Sequence, residues 1–298
     1  MKILVTGSSG FIGSALVPAL GSSGHTVVRL VRSATKQADG PRWDPDSGTI
    51  DPAALEGFDA VVHLAGEDIS SGTWTPAKKT RIRQSRVEST KLLARTLAGL
   101  GRRPSTLACA SAVGYYGDRG EEVLTEESPP GAGFLASVCR EWEAAAAPAA
   151  QAGIRVVHLR FGVVLSARGG ALARMLGPFR MGMGGPLGSG RQYVSWIAID
   201  DALGAIGHVL SNPVVNGAVN VASPRPVTHR EFAQTLGRVL GRPTVLGMPA
   251  LTLRLMFGEM ATEVLLASQR LQAARLLSTG FAFRFPELDA ALHHLLGT

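Results

Sequence analysis

The chain has 298 residues, of which 45% are hydrophobic and 18% charged, so it can bury the core of one large domain or of two closely joined domains. Its net charge of +7 is compatible with nucleic acid, but no Lys/Arg block or interleaved aromatic stripe accompanies it, which favours a phosphorylated small molecule. No apolar run approaches the ~18 residues of a membrane span, and the N-terminus does not resemble a signal peptide, so we expect a cytoplasmic protein that binds neither membrane nor nucleic acid.

The first half of the chain alternates predicted strands and helices. Buried strands are predicted from the apolar runs "KILVTG", "HTVVRLVR", "FDAVVHLAG", "STLACASA" and "GIRVVHLRFGVVL". Helices are predicted over 11–23, 75–99 and 134–152. This alternation predicts an α/β fold with a parallel sheet covered on both faces. Beyond residue 165, Gly-rich segments separate short elements, and 229–241 and 250–296 are predicted to be mainly helical.

A glycine-rich loop follows the first predicted strand. The stretch "TGSSGFIG" places Gly7, Gly10 and Gly13 at the spacing that allows a tight turn, a close approach to pyrophosphate and close packing of the following helix. The helix N-terminus, at Phe11 and Ile12, offers free N–H groups to the anion. The loop therefore predicts dinucleotide binding.

The end of the second predicted strand selects the cofactor. An acidic residue there would hold the ribose hydroxyls of NAD, but this strand ends in "RLVRS", with Arg29 and Arg32. A guanidinium offers a planar set of donors to the oxygens of a 2′-phosphate. These residues predict NADP rather than NAD, and the alternative is that both arginines are solvated.

Several motifs resemble the extended short-chain dehydrogenase/reductase family of epimerases and dehydratases. They are the glycine loop, "VVHLAG", "GYYGD" and "GSGRQYVSWIAIDD", and with the C-terminal "RLMFGEMATEVLLASQRL" they resemble an epimerase-like branch of that family. The resemblance implies a Rossmann-type doubly wound parallel sheet over 1–165. It also implies a smaller, mainly helical substrate subdomain over 166–298, from which about 194–222 return to the first domain.

The same resemblance implies further cofactor contacts. Leu64, Ala65 and Gly66 would line the adenine-ribose side, Val163 would offer a backbone contact near the nicotinamide amide, and Asp44 loosely matches an adenine-contacting position. In "SRVEST", Arg86 replaces an asparagine of the family. Arg86 is therefore interpreted either as a contact to NADP phosphate or ribose, or as an exposed helix arginine.

The catalytic pair of the family is missing from the sequence. Enzymes that resemble this chain carry Tyr-x-x-x-Lys on a helix, but Leu135 and Cys139 hold the matching positions, and no such pair occurs anywhere in the chain. Ala112 stands where a Ser or Thr would orient the substrate oxygen. Ser111 lies one place earlier, so on an extended strand it would face the opposite side.

Two interpretations of this loss stay open. In the first, other groups serve as acid or base in an epimerase- or dehydrogenase-like oxidoreductase, with Tyr116, Tyr115 and Ser111 as candidates near the carboxyl edge of the sheet. In the second, the protein binds NADP(H) without turnover, as a sensor or regulator.

Other residues complete the sequence-based expectations. Arg191 and Trp196, in "GSGRQYVSW", are candidates for contacts to a small, anionic or planar substrate. His63 on its apolar strand is more typical of a core histidine with satisfied nitrogens than of a catalytic base. Cys109 and Cys139 have no metal-ligand spacing, so no metal is expected, and the oligomeric state stays open, a homodimer being compatible with the sequence.

Overall fold

The protein is described by a computed structural model over residues 1–33 and 40–298. The strands are β1 (Lys2–Thr6), β2 (Thr26–Arg32), β3 (Arg42–Asp44), β4 (Thr49–Ile50), β5 (Ala60–His63), β6 (Thr106–Ala112), β7 (Val123–Leu124), β8 (Arg155–Phe161), β9 (Val163–Ser166), β10 (Tyr193–Val194), β11 (Trp196–Ala198), β12 (Gly217–Val221), β13 (Val227–Thr228) and β14 (Arg270–Leu271). The helices are α1 (Phe11–Ser22), α2 (Pro76–Ala98), α3 (Phe134–Ala144), α4 (Ala147–Gln151), α5 (Gly170–Arg180), α6 (Ile199–Ser211), α7 (His229–Val239), α8 (Ala250–Phe257), α9 (Ala274–Ser278) and α10 (Leu288–Leu296).

Within the described residues, eight strands form the main sheet, in the order β12-β8-β6-β5-β1-β2-β3-β4. The β3–β4 pair is antiparallel and the other neighbouring pairs are parallel. The strand order reverses between β1 and β5. In open parallel sheets, ligands bind outside the carboxyl ends of the strands at such a reversal. The predicted α/β fold with a doubly wound parallel sheet is confirmed.

Apolar side chains cover both faces of this sheet. On β1, Ile3 and Val5 point into one core with α1 and α6, while Leu4 points into the other with α2 and α4. All three side chains are fully buried. This burial on both faces explains why the strands appear in the sequence as continuous apolar runs rather than alternating ones.

The predicted strand "GIRVVHLRFGVVL" divides in two at Gly162. A Cβ at this position would overlap the carbonyl oxygen of Ser195, so only glycine fits where the chain leaves the sheet. The first part is β8, while the second is β9, which pairs with β11 outside the main sheet. Beyond β9, apolar residues of α5, α7 and α10 form a separate core, and β12 returns to the edge of the main sheet. Among the described residues, no helix is both long and apolar enough to cross a membrane.

Candidate functional site

The loop between β1 and α1 holds its glycines in close backbone contacts. Gly7 has φ +65°, in the left-handed region that favours glycine, and a Cβ there would lie 2.6 Å from the backbone at the end of β5. A Cβ on Gly13 would overlap the carbonyl oxygen of Gly7. No side chain caps α1 at Gly10, so the first amides of the helix, at Phe11 and Ile12, have no side-chain acceptor. This arrangement suits a pyrophosphate.

Two exposed arginines stand on β2, next to this loop. Within the part of the chain that the structure describes, the side chains of Arg29 and Arg32 form neither a hydrogen bond nor an ion pair. Asp44 on the neighbouring β3 is engaged in its own turn, because its Oδ1 accepts the N–H of Asp46 at 3.0 Å. A hydrogen bond with the Ser47 side chain, the amide bonds of the turn and the nearby Arg32 charge lower the pKa of Asp44. The arginines are therefore available to a ligand, whereas Asp44 is partly occupied.

The residues that follow β5 are tied to β1 through Thr6. Its Oγ1 accepts the N–H groups of Leu64 at 3.2 Å and Ala65 at 3.3 Å, and it lies 2.7 Å from Nδ1 of His63. The Nε2 of His63 lies 2.9 Å from Oγ1 of Thr90. Burial lowers the pKa of this histidine to about 4. His63 is thus a neutral core residue with both nitrogens satisfied, and it helps to hold the loop in place.

The buried His63 should make the stability of the protein fall in acid. The pKa of His63 is about 4 in the folded state and 6.5 in the unfolded state. Between pH 4 and 6.5, the unfolded chain therefore binds a proton at this residue and the folded chain does not. The free energy of unfolding should therefore fall as the pH drops from about 6.5 to 4, by up to ~1.4 kcal/mol per pH unit from this site. Urea denaturation of His63→Gln at stepped pH should give a shallower slope.

Part of the slope should survive in that variant, because burial also lowers the pKa of His229 to about 4. The matched control is His25→Gln, since His25 is partly exposed, and it should change the slope little. A slope in His63→Gln as steep as in the unchanged protein would contradict the assignment.

Arg86 on α2 reaches the loop that follows β5. A Cβ on Gly66 would lie 3.4 Å from its Cζ, and the same Cζ lies 5.1 Å from the ring centroid of Trp142. The side chain is half-buried, and this burial lowers its pKa. Of the two interpretations of Arg86, the exposed helix arginine does not fit this position.

Helix α3 carries Leu135 and Cys139 at the two positions that the sequence resemblance matches to a tyrosine and a lysine. A Cβ on Gly114, in the turn after β6, would lie 3.1 Å from Cβ of Leu135 and 3.9 Å from Sγ of Cys139. Both side chains thus face the turn that the catalytic pair would face. Burial raises the pKa of Cys139 to about 12, so its thiol is neutral at physiological pH. Leu135 has no proton to exchange, and the Cys139 thiol is too weakly acidic to take the place of a lysine cation.

Tyr116 and Ser111 belong to a buried hydrogen-bond network. The Tyr116 hydroxyl donates to Oδ1 of Asn220 at 2.7 Å and accepts from Nη1 of Arg160 at 2.8 Å. Ser111 donates to Glu143 at 2.7 Å. Arg160 forms a two-point ion pair with the same carboxylate, at 2.8 and 2.9 Å. Burial raises the pKa of Tyr116 to about 12.

This network occupies Tyr116 and Ser111, two of the three residues that the sequence offers as catalytic candidates. Tyr116 is 0% and Ser111 3% exposed, and their polar atoms already have protein partners, so they lack the surface to meet a ligand. Tyr115 differs, because its ring stacks on Arg160, with Cζ 3.5 Å from the centroid, while its hydroxyl has no partner among the described residues. Tyr115 is therefore the better placed tyrosine of this turn.

The substrate candidates Arg191 and Trp196 lie in different environments. Arg191 is exposed and lines an open depression, together with Glu121, Gly190, Tyr193, Thr228 and Arg230. Trp196 is 0% exposed, and its Nε1 donates to the carbonyl of Arg225 at 3.1 Å. This placement corrects the expectation that Trp196 contacts substrate, because the ring belongs to the core of the C-terminal part.

The backbone at Val163 is also engaged. Its N–H donates to the carbonyl of Ser195 at 2.8 Å, as part of the contact between β9 and β11. The amide of Val163 therefore cannot bind the nicotinamide carboxamide, which limits any contact there to other atoms.

The C-terminal segment supplies contacts that the sequence analysis missed. The carboxylate of Glu263 accepts the N–H groups of Phe134 and Leu135, at 2.8 Å each, and so caps α3. Further along, Gln269 donates to the carbonyl of Gly117 at 3.0 Å, and β14 pairs with β7. The segment thus holds both the start of α3 and the loop that leads to it.

Comparison with known proteins agrees with this architecture. Residues 3–222 match the model of the NAD dependent epimerase/dehydratase family, and residues 248–295 match a domain of unknown function, DUF1731. Epimerase family protein Mb2239 of Mycobacterium bovis is 45% identical over 290 residues, which cover 97% of this chain and 96% of that protein. Human epimerase family protein SDR39U1 is 37% identical over 302 residues, which cover 99% of this chain and all of the human one.

Solved structures are similar over the whole chain. The crystal structure of human SDR39U1 (isoform2) with NADPH has a TM-score of 0.92 at 37% identity, and the match covers 100% of both chains. The nucleoside-diphosphate sugar epimerase from Corynebacterium glutamicum has a TM-score of 0.83 at 38% identity and covers 100% of this chain and 58% of its own. Together with the parallel sheet and its glycine loop, these matches establish that the chain belongs to the NAD-dependent epimerase/dehydratase family.

Proposed function

We propose that the protein binds NADP(H) and acts as an oxidoreductase or epimerase-type enzyme on a small anionic molecule. The observation that carries the cofactor choice is Arg32, an exposed arginine on the strand next to the glycine loop, whose side chain forms no hydrogen bond or ion pair within the described residues. A guanidinium at that place suits the 2′-phosphate that distinguishes NADP from NAD. The presence of NADPH in the crystal structure of the human relative supports this choice.

Arg32→Ala is expected to remove most of the preference for NADPH over NADH. One charge-assisted contact to phosphate contributes roughly 1.5–3 kcal/mol, which is about a 10- to 150-fold change in affinity. Titration of both reduced cofactors, followed by nicotinamide fluorescence, measures the ratio of dissociation constants. The matched control is Arg95→Ala, which removes the same charge from an exposed position in the last turn of α2. Equal affinities of the unchanged protein for the two cofactors would refute the choice of NADP.

The acid or base of the proposed enzyme is Tyr115. Among the described residues its hydroxyl has no partner, and its ring stacks on the guanidinium of Arg160, so the hydroxyl can meet a substrate while the ring is held in place. Tyr116 lies on the same turn, but its hydroxyl is occupied by Asn220 and Arg160.

The anionic character of the substrate is proposed from the exposed depression at Arg191. Arg230 and Tyr193 line the same depression, so two arginines and one aromatic residue contribute to its walls. Guanidinium groups bind carboxylate and phosphate oxygens in a planar, two-point geometry. Glu121 is the acidic residue among the lining residues, and its carboxylate would repel an anion placed beside it, so the anion would bind on the arginine side.

A second function is favoured by Leu135 and Cys139. These side chains fill the place of the usual acid and its cation with groups that cannot transfer a proton, as expected for a protein that binds NADP(H) as a sensor or regulator. One experiment separates the two functions. The protein is loaded with NADPH and incubated with a panel of carbonyl metabolites, and nicotinamide absorbance is followed. Loss of absorbance at protein-dependent rates supports the enzyme, whereas tight binding without oxidation across the panel supports the sensor.

A further inference from the structure

Arg86 is a half-buried cation without an acidic partner in the described part of the chain. Its Nη1 donates to the carbonyl of Ile82, one turn back on α2, at 3.2 Å. No ion pair involves it, although Glu67 and Asp68 follow β5 nearby and contribute to its electrostatic environment. A guanidinium has five N–H donors, so most of those on Arg86 lack a protein acceptor.

Within the described residues, these unpaired donors of Arg86 are not completely enclosed. Among the described residues, the one fully enclosed side-chain nitrogen or oxygen without a partner is Nδ1 of His158, so the unpaired nitrogens of Arg86 are not enclosed by protein. The guanidinium lies against Gly66 at the carboxyl end of β5, beside the place where the strand order reverses. A Cβ at position 66 would be in van der Waals contact with this group, so the guanidinium lies directly beside the loop.

Arg86 is also next to the site of the missing lysine. Its guanidinium packs on the ring of Trp142, which lies one turn after Cys139 on α3. The cation therefore reaches the neighbourhood of position 139 from α2, while α3 itself contributes a short neutral side chain at that position.

We infer that Arg86 supplies from α2 the fixed positive charge that a lysine on α3 supplies in Tyr-x-x-x-Lys enzymes, and that it binds the nicotinamide ribose of the cofactor. This inference rests on the proposed binding of NADP(H). It assigns the free N–H donors to the ribose hydroxyls. Position 135 is leucine, so the Arg86 guanidinium has no tyrosine at that position whose pKa it could lower. The charge of Arg86 therefore acts electrostatically on the cofactor alone.

A fixed cation at this place discriminates between the two redox states of the cofactor. The oxidised nicotinamide ring is positively charged and the reduced ring is neutral, so a nearby guanidinium repels the oxidised form more. Loss of the Arg86 charge should weaken binding of NADPH by about tenfold, a change of ~1.4 kcal/mol, and should weaken binding of NADP⁺ less. A merely structural role would change both affinities alike.

The test removes the positive charge of Arg86 from α2 and introduces a lysine at position 139 of α3. Arg86→Met keeps a long side chain against Trp142 without the charge, and Arg86→Ala opens the space that a lysine at position 139 would fill. We expect Arg86→Ala/Cys139→Lys to recover the NADPH affinity and the preference for NADPH over NADP⁺. The matched control is Arg86→Ala/Cys139→Met, which restores volume without charge and should not recover them.

The outcomes separate this inference from the proposed function. Dissociation constants for NADPH and NADP⁺ are measured by calorimetry on each variant, after circular dichroism has shown that it folds. Equal loss of affinity for NADPH and NADP⁺ in Arg86→Met would contradict the inference that Arg86 supplies the charge of the missing lysine. Equal recovery of affinity in the Cys139→Lys and Cys139→Met double variants would contradict it as well. Neither result would contradict NADP(H) binding itself. Absence of NADPH binding to the unchanged protein would overturn both.

Discussion

Replacing Arg160 with methionine is expected to lower the free energy of unfolding by about 3–5 kcal/mol. The guanidinium of Arg160 is paired with the carboxylate of Glu143, and their side chains are 4% and 12% exposed. Without the arginine, a buried carboxylate loses its counter-charge, and the hydroxyl of Tyr116 loses a donor. Breaking a buried pair by removing one partner costs far more than breaking an exposed pair, because the remaining charge cannot be solvated. Urea denaturation at neutral pH measures the change.

A matched control and a double variant test the cause of this loss. Arg238→Met breaks an exposed ion pair with Asp289, so it should cost about 0–1 kcal/mol. Adding Glu143→Leu to Arg160→Met removes the stranded charge and should recover part of the stability. If Arg160→Met and Arg238→Met lower the free energy of unfolding by the same small amount, the ion pair between Arg160 and Glu143 is solvated and does not stabilise the protein as a buried pair would.

Tyr115→Phe is expected to reduce turnover by about 10²–10⁴, once a substrate has been found with the NADPH screen. The change removes the hydroxyl proposed as acid or base and leaves the stacking of the ring on Arg160 in place. Affinity for NADPH should stay the same. Single-turnover oxidation of bound NADPH measures the effect on the chemical step.

Two variants of neighbouring residues serve as controls for this prediction. Cys139→Ser should leave the rate nearly unchanged, because the thiol stays protonated at neutral pH. Tyr116→Phe should lower stability through the loss of its bonds to Asn220 and Arg160, and it should affect the rate less than Tyr115→Phe. Full activity in Tyr115→Phe would show that Tyr115 is not the acid or base and that another element of the fold carries this group.

The sequence predicts the parallel sheet well because its signal is local. Each buried strand is a continuous apolar run, and β1 with its glycines and α1 occupies fewer than 25 consecutive residues. Local apolar runs do not predict the division between β8 and β9. Its cause is the carbonyl of Ser195 lying over Gly162, a contact between residues that are far apart in the chain.

The site shows the same division between local and distant causes. The glycine loop and Arg32 are predicted from spacing alone, since each belongs to one strand end. The burial of Trp196 depends on packing against α5, α7 and α10, which a tryptophan in a Gly-rich stretch does not reveal. Glu263 lies about 130 residues beyond the amides that it caps, and no pattern near either end indicates the pairing.

The cap on α3 has a consequence for how the molecule unfolds. Helix α3 is short, its first amides end on a carboxylate of the C-terminal segment, and a Cβ at Gly133 would collide with that carboxylate. Short helices are marginal without such partners. Loss of the C-terminal segment would therefore fray the helix that faces the cofactor loop, so melting of either part is coupled to melting of the other. The two stretches that match separate family models behave in this respect as one cooperative unit, and an exchange of the C-terminal segment between relatives has to preserve the contact between Gly133 and Glu263.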